Sequence, residues 1–142
     1  MKEMTPAEAK AFLMTGTRTG KLATTRADGR PHVAPIWFVM DGDDLIFNTW
    51  HTSLKARNMR HNPIVSLCVD EEVSPYAFVI IEGTVTLTEN PPDNVKWATR
   101  IGGRYMGAEQ AEAFGKRNSV PGELLVRLTP TKIIAKKEVA AW

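Results

Sequence analysis

Short strand-like runs, separated by turn residues, dominate the first third of the chain, and the second of them begins with hydrophobic and polar residues in alternation. Such runs occupy residues 20–26, 31–40 and 45–49, and Asp-Gly pairs at 28–29 and 41–42 supply tight turns between them. A period of two is typical of half-buried β-strands, and Asp-Gly favours hairpin turns. We therefore predict three strands in an antiparallel meander. The second becomes fully apolar, so we expect it in the centre of the sheet.

The second half of the chain predicts three more strands. They are expected over residues 64–69, over 76–87 and, as one strand interrupted at Pro130, over 123–128 and 132–136. Proline cannot donate to a sheet ladder, so the interruption is expected to break the pairing locally. Together with the first meander, the count is six strands.

Four helices are predicted between these strands. The first begins with the capping residue Thr5 and ends at residues 15–17, and the others cover about 52–61, 92–101 and 108–116, with Gly102-Gly103 ending the third. Strands that follow one another with helices inserted do not fit an alternating βαβ fold. The pattern predicts a mainly β, α+β protein built on a small antiparallel barrel.

Two residues mark irregular positions in the predicted strands. Pro35 lies inside the second strand and has no N–H to donate, which implies a bulge or a locally open edge. Such places often leave backbone groups to hydrogen-bond a ligand. Gly83 indicates a bend in the strand over residues 76–87.

Composition sets the broad class of the protein. The chain has 142 residues, 43% hydrophobic and 24% charged, which fits one folded domain over residues 1–142. The formal net charge of +2 argues against a nucleic-acid partner. No window is apolar enough to span a membrane, and the first residues do not resemble a signal peptide. We therefore expect a cytoplasmic protein with no membrane partner.

No familiar catalytic motif occurs in the sequence. Cys68 is the single cysteine and lies in an apolar run, which favours a buried hydrophobe over a reactive thiol. His32, His51 and His61 lack the spacing of metal ligands, so we predict no metal site. Since no acid–base pair or nucleophile stands out, the catalytic residues stay unknown. Any enzymatic chemistry is expected to belong to a cofactor.

Residues 47–69 contain no acidic side chain, although acids and bases nearly balance in the chain as a whole. Within this segment, Thr52, Ser53 and Lys55 stand where a helix is predicted to begin. Unpaired N–H groups and the helix dipole make such a start attractive to a phosphate. The same residues also fit an ordinary helix cap with solvated surface charges, and spacing alone does not decide between the two.

Two tryptophans are candidates for the walls of a ligand site. Trp37 follows Pro35-Ile36 on the second predicted strand, and Trp50 ends the third. If these strands pair, both rings could face a flat heteroaromatic ligand near the predicted helix start. The alternative is that Trp37 belongs to the core and Trp50 covers the mouth of the barrel.

Four stretches together resemble a known superfamily. They are residues 20–50, the block LKARNMRHNP at 54–63 with its continuation to residue 72, PYAFVIIEGTV at 75–85 and RYMG at 104–107. In this order they resemble the split-barrel flavin-binding superfamily, which includes pyridoxamine 5′-phosphate oxidase. The chain is most similar there to the small actinobacterial deazaflavin (F420)-dependent reductases, from about residue 12 to 134.

The resemblance implies a six-stranded antiparallel split β-barrel of the FMN-binding type. It also implies a homodimer with two cofactor sites at the interface, in which Tyr76 approaches the partner's site. The phosphate would lie at the start of the helix after the third strand and the ring against the second strand. The implied cofactor-binding residues are Pro35, Ile36, Trp37, Asn48, Thr49, Ser53, Leu54, Lys55, Asn58 and Tyr76.

The resemblance implies an F420-dependent oxidoreductase that transfers a hydride from reduced deazaflavin to a conjugated or heteroaromatic small molecule. One departure concerns residues 51–54, His-Thr-Ser-Leu, where relatives often carry a further basic residue and a glycine. This leaves FMN open as the alternative cofactor of an oxidase or reductase. A non-catalytic carrier of flavin or F420 is the third hypothesis.

Overall fold

Eight strands and four helices make up the computed structural model, which describes all 142 residues. The strands are β1 (Lys2–Glu3), β2 (Gly20–Thr25), β3 (Pro31–Ile36), β4 (Val39–Asp41), β5 (Asp44–Trp50), β6 (Ile64–Glu71), β7 (Ala77–Glu89) and β8 (Glu123–Lys137). The helices are α1 (Pro6–Met14), α2 (Leu54–His61), α3 (Asn94–Met106) and α4 (Ala108–Arg117). No helix combines the length and the apolar character that crossing a membrane requires.

The strands form one antiparallel sheet in the order β3-β2-β6-β7-β8-β5-β4, and β1 pairs with β8. The two strands at the ends of this path, β3 and β4, follow each other in the chain and are separated only by Trp37 and Phe38. The sheet therefore closes through two covalently linked residues and not through a strand pair. This is a split barrel, so the predicted fold class is confirmed, with eight strands where six were expected.

The prediction of one central strand over residues 31–40 is wrong. The segment breaks into β3, which pairs only with β2, and β4, which pairs only with β5. The meander is therefore interrupted, because β3 and β5 do not pair. Side chains of α3 satisfy the backbone at the break: Phe38 N donates to Tyr105 Oη (3.3 Å), and Arg104 Nη1 donates to Phe38 O (2.6 Å). The open edge predicted from Pro35 is confirmed.

Two hydrophobic clusters hold the barrel. The first fills its interior with 18 buried residues, among them Phe38, Phe47 and Leu67. The second lies outside the barrel wall, where Trp97 and Ile101 of α3 cover a patch that the strands β4, β5 and β8 provide. Leu45 and Phe47 of β5 therefore face the first cluster and Ile46 the second, which explains why these three consecutive positions are all apolar.

The prediction that Gly102-Gly103 ends the third helix is also wrong, since α3 continues to Met106. A Cβ atom on Gly102 would collide with the side chain of Phe114. These glycines therefore let α4 pack closely against α3. The helix ends instead at Gly107, whose positive φ of 95° glycine adopts without strain.

The remaining boundaries follow from caps and bulges. The capping role predicted for Thr5 is confirmed, and Glu8 completes a capping box: Glu8 N donates to Thr5 Oγ1 and Thr5 N donates to Glu8 Oε1. Helix α2 begins two residues later than expected, with Ser53 as its N-cap. Strand β8 continues through Pro130, opposite the predicted bend at Gly83, and the register shift there absorbs one extra residue.

Candidate functional site

A pocket of about 250 Å³ lies where the end of β3 meets β5, the start of α2 and the helical pair α3–α4. It combines the two parts that the sequence suggested separately, the helix start and the second strand. Five of the residues implied to bind a cofactor line it. The lining residues are Pro35, Ile36, Trp37, Asn48, Lys55, Ile101 and Asn118.

Ile101 and Asn118 are pocket residues that sequence reasoning missed. Both belong to the helical insertion between β7 and β8, which lies far from residues 35–55 in sequence. The only sequence signal for Ile101 is the amphipathic pattern of α3, which says that one face is buried but not which strands it covers. Asn118 is the C-cap of α4 and belongs to no such pattern.

The start of α2 has the features of an anion site. Ser53 Oγ accepts a hydrogen bond from Ala56 N (3.2 Å) and shares one with Thr49 Oγ1 (2.8 Å). The N–H groups of Leu54 and Lys55 donate no hydrogen bond within the chain, and the first turn carries no acid. Because Lys55 is half-buried at the pocket wall and forms no ion pair, its charge adds to the positive helix end.

The other basic residues of α2, Arg57 and Arg60, do not line this pocket. Arg60 Nη1 donates to the carbonyl of His51 (2.7 Å), so Arg60 fixes the loop that precedes the helix. Arg57 lines a separate pocket of about 300 Å³, together with Arg26 and His61. The positive field at the pocket of Lys55 therefore comes mainly from that lysine and the helix end.

Trp37 is partly a packed residue and partly a wall of the pocket, so both alternatives considered for it apply. Its ring stacks on Tyr105 with centroids 5.1 Å apart and an interplanar angle of 5°, and it also contacts Phe114. The side chain nevertheless stays 36% exposed and borders the pocket. Trp37 is therefore a rigid wall held from behind by α3 and α4, with an edge left open.

Arg104 and Tyr105 hold this wall in place. Tyr105 Oη donates to Arg18 O (2.8 Å) and accepts from Phe38 N, and burial raises the pKa of this phenol. Arg104 donates to the carbonyls of Leu13 (2.7 Å) and Phe38. Burial lowers the pKa of the Arg104 guanidinium. The stretch RYMG is part of the resemblance, but no local pattern predicts this clamp, which the structure alone shows.

Three predicted residues, Thr49, Leu54 and Asn58, lie near α2 without lining the pocket. Thr49 and Asn58 are buried, and Asn58 Nδ2 donates to Thr24 Oγ1 (3.0 Å), which ties α2 to β2. Leu54 borders the pocket of Arg57. These contacts position the helix start, and direct binding of a phosphate by Thr49 or Asn58 stays a prediction.

Tyr76 and Trp50 do not reach the pocket within one chain. Tyr76 is exposed in the turn before β7, with a positive φ of 64°. Trp50 lies against Gly122, where a Cβ atom would come within 2.5 Å of the ring. Its ring also contacts His51 and stays 44% exposed, and a role in covering the mouth of the barrel stays a prediction. The approach of Tyr76 from a partner subunit stays a prediction.

With this geometry established, comparison with known proteins identifies the family. The family model described as pyridoxamine 5′-phosphate oxidase matches residues 5–137. The chain belongs to this family. The match spans the barrel and the helical insertion, so it includes every residue that lines the pocket.

Solved structures support the same assignment. The chain is similar to a conserved hypothetical protein from Mycobacterium tuberculosis, with 26% identity, a TM-score of 0.84 and coverage of 97% of this chain and 91% of that one. A protein described as an F420 reductase is 26% identical, with a TM-score of 0.71 over 91% of this chain and 98% of its own. The heme storage protein HutZ from Vibrio cholerae shares the fold at 23% identity, with a TM-score of 0.72 over 92% and 94% of the two chains.

Proposed function

We propose that this protein is an F420-dependent oxidoreductase acting on a conjugated or heteroaromatic small molecule. The observation that carries the proposal is the single pocket in which a helix start with Lys55 faces the aromatic wall of Trp37. A phosphate and a flat ring are the two recognition elements that such a pocket fits. The similarity to an F420 reductase at 26% identity gives further support.

Different residues of the pocket would bind the phosphate and the ring of the cofactor. Lys55, the N–H groups at the start of α2 and the Ser53 hydroxyl would hold the phosphate. The open edge of β3 around Pro35 offers backbone groups to the ring, and Trp37 limits its position. Reduced F420 supplies a hydride when bound. The protein then contributes orientation and exclusion of water.

We further propose that a second copy of the chain completes the site. The pocket of about 250 Å³ lies below the ~300–1,000 Å³ typical of ligand sites. Beside it, the outer face of β2, β3 and β6 is uncovered, and Val33 and Ile64 on it are each 64% exposed. A homodimer that buries this face would bring further residues, with Tyr76 as the candidate, to the mouth of the pocket.

Titration with F420 tests the cofactor assignment. We expect saturable binding, and Lys55→Ala should weaken it roughly tenfold because one charge-assisted contact to phosphate is lost. Lys132→Ala is the matched control, since Lys132 is also free of ion pairs but lies on β8 outside the pocket. Equal affinities of the parent and Lys55→Ala would show that the anion site is elsewhere.

FMN is the second candidate, because the matching family is that of an oxidase and the helix start lacks the extra basic residue of many relatives. Parallel titration with FMN distinguishes the two, the tighter ligand being the cofactor. A carrier role is the third candidate, in view of a heme storage protein with this fold. Tight F420 binding without turnover over a broad panel of acceptors would favour the carrier.

A further inference from the structure

One buried polar atom of the molecule has no partner, and it belongs to a residue that lines the pocket. Asn48 Oδ1 is inaccessible to solvent and accepts no hydrogen bond. Every other buried side-chain nitrogen or oxygen is paired. A buried acceptor without a donor destabilises the structure that contains it, so its retention at a ligand site points to a donor that arrives with the ligand.

The orientation of the Asn48 amide is fixed by backbone carbonyls. Asn94 Nδ2 donates to the carbonyl of Asn118 (3.1 Å), which leaves Asn94 Oδ1 to accept from Asn48 Nδ2 (2.8 Å). Asn48 Nδ2 also donates to the carbonyl of Leu124 (3.3 Å). A rotation of the Asn48 amide by half a turn would place its oxygen against two acceptors. The Asn48 oxygen must therefore face away from α3 and β8.

The position of Asn48 indicates which group of a ligand could donate to its Oδ1 atom. Asn48 shares a pocket of about 250 Å³ with Lys55, so it lies beside the proposed phosphate position. A space of this size holds a phosphate and the adjoining atoms but not a three-ring system as well. The ring would therefore lie at the mouth, against Pro35 and Trp37. The atoms next to the phosphate in F420 and in FMN are those of a polyol chain.

We propose that Asn48 Oδ1 accepts a hydrogen bond from a secondary hydroxyl of this polyol, and that Asn94 is the positioning residue that presents it. The proposal rests on the proposed function for the presence of a phosphorylated polyol. Asn94 is fully buried and makes no contact with the pocket, so it acts through Asn48. The asparagine pair thus selects ligands whose linker carries a hydroxyl at one position.

The test uses the nucleotide fragment of F420, consisting of ring, polyol and phosphate, and its three analogues that each lack one secondary hydroxyl. We expect the parent protein to bind one analogue roughly tenfold more weakly than the intact fragment, the loss typical of one neutral hydrogen bond. Asn48→Ala should bind the intact fragment and that analogue equally well. Lys132→Ala is again the control, because Lys132 lies on β8 outside the pocket, and this variant should keep the parent's preference.

Asn94→Ala separates positioning from a structural role. We expect it to reduce the preference for the intact fragment, since the Asn48 amide can then turn. A purely structural role of Asn94 would lower the thermal midpoint and leave the preference unchanged, which would overturn its assignment.

Other outcomes are equally decisive. If the parent binds the fragment and all three analogues with one affinity, the polyol contact is wrong while the proposed function stands. A preference that survives in Asn48→Ala would assign the contact to another residue. Failure of F420 and of the fragment to bind at all would overturn both proposals. The parent alone supplies the first result, so an unstable variant does not prevent the test.

Discussion

Two parts of the outer barrel wall differ in what covers them. Over β4 and β5, Trp97 and Ile101 of α3 bury Val39 and Ile46 in a second hydrophobic cluster. Over β2, β3 and β6, Val33 and other apolar side chains face outwards with no helix against them. Both parts carry apolar side chains, although on the uncovered part they alternate with polar residues such as Lys21 and Ser66. Apolar residues on the outer face of a strand therefore indicate that this face is to be buried. They do not indicate whether a helix of the same chain or a second molecule buries it.

The largest expected effect concerns the covered part. Trp97→Ala should lower the free energy of unfolding by about 3–5 kcal/mol, because it opens a cavity between α3 and the barrel wall. Denaturant unfolding at equilibrium measures it. Val95→Ala on the exposed side of the same helix is the control and should stay within about 0.5 kcal/mol of the parent. A similar loss in both variants would mean that α3 does not depend on this cluster.

A smaller effect is expected for the uncovered part of the wall. Under the proposed homodimer, Val33→Asp should weaken self-association roughly 100-fold, since a charge would be buried without a partner. Sedimentation equilibrium over a dilution series measures the dissociation constant, with Val95→Asp on the exposed side of α3 as the control. An unchanged dissociation constant for Val33→Asp would show that the uncovered face is not the interface.

The smallest change in stability is expected at Trp37 and Phe38, where the sheet breaks between β3 and β4. Tyr105→Phe removes the hydroxyl that donates to Arg18 O and accepts from Phe38 N. We expect this change to lower the free energy of unfolding by about 1 kcal/mol. Equilibrium unfolding in denaturant at neutral pH measures this loss. A variant as stable as the parent would show that other contacts hold the split.

The same substitution has a defined pH dependence. Burial raises the pKa of Tyr105 in the folded protein, so the unfolded chain loses this proton first as pH rises. The stability that the phenol contributes is thus complete below about pH 10, the ordinary pKa of tyrosine, and is lost as pH rises towards the folded value. The difference between parent and Tyr105→Phe should therefore shrink above about pH 10. A difference that grows there would contradict the burial argument.

Much of the site was accessible from local sequence because its parts are local. The acid-free segment with a capping hydroxyl and Lys55 predicts the anion site, since caps and helix ends involve residues three or four apart. Pro35 predicts the open edge, because a missing N–H acts at its own position. The resemblance implied that the helix start and the open edge at Pro35 lie in one pocket. The strand order of the structure is what shows that they do.

The errors have one physical origin. Gly102-Gly103 looks like a helix end, yet α3 continues because packing against Phe114 outweighs the low helix propensity of glycine. The segment over residues 31–40 looks like one buried strand, yet it changes sheet partner at Trp37 and Phe38, where the clamp of Arg104 satisfies the backbone. In each case a contact from a distant part of the chain overrides the local preference.

The antiparallel barrel class, the helix caps, the edge at Pro35 and the positive start of α2 were predictable from local sequence, because these features depend on neighbouring residues. Long-range packing sets three other features: β3 and β4 lie at the two ends of the sheet, Ile101 and Asn118 join the pocket, and Asn48 keeps an unpaired acceptor there. Those features depend on helices inserted far along the chain, whose packing partners no local pattern specifies.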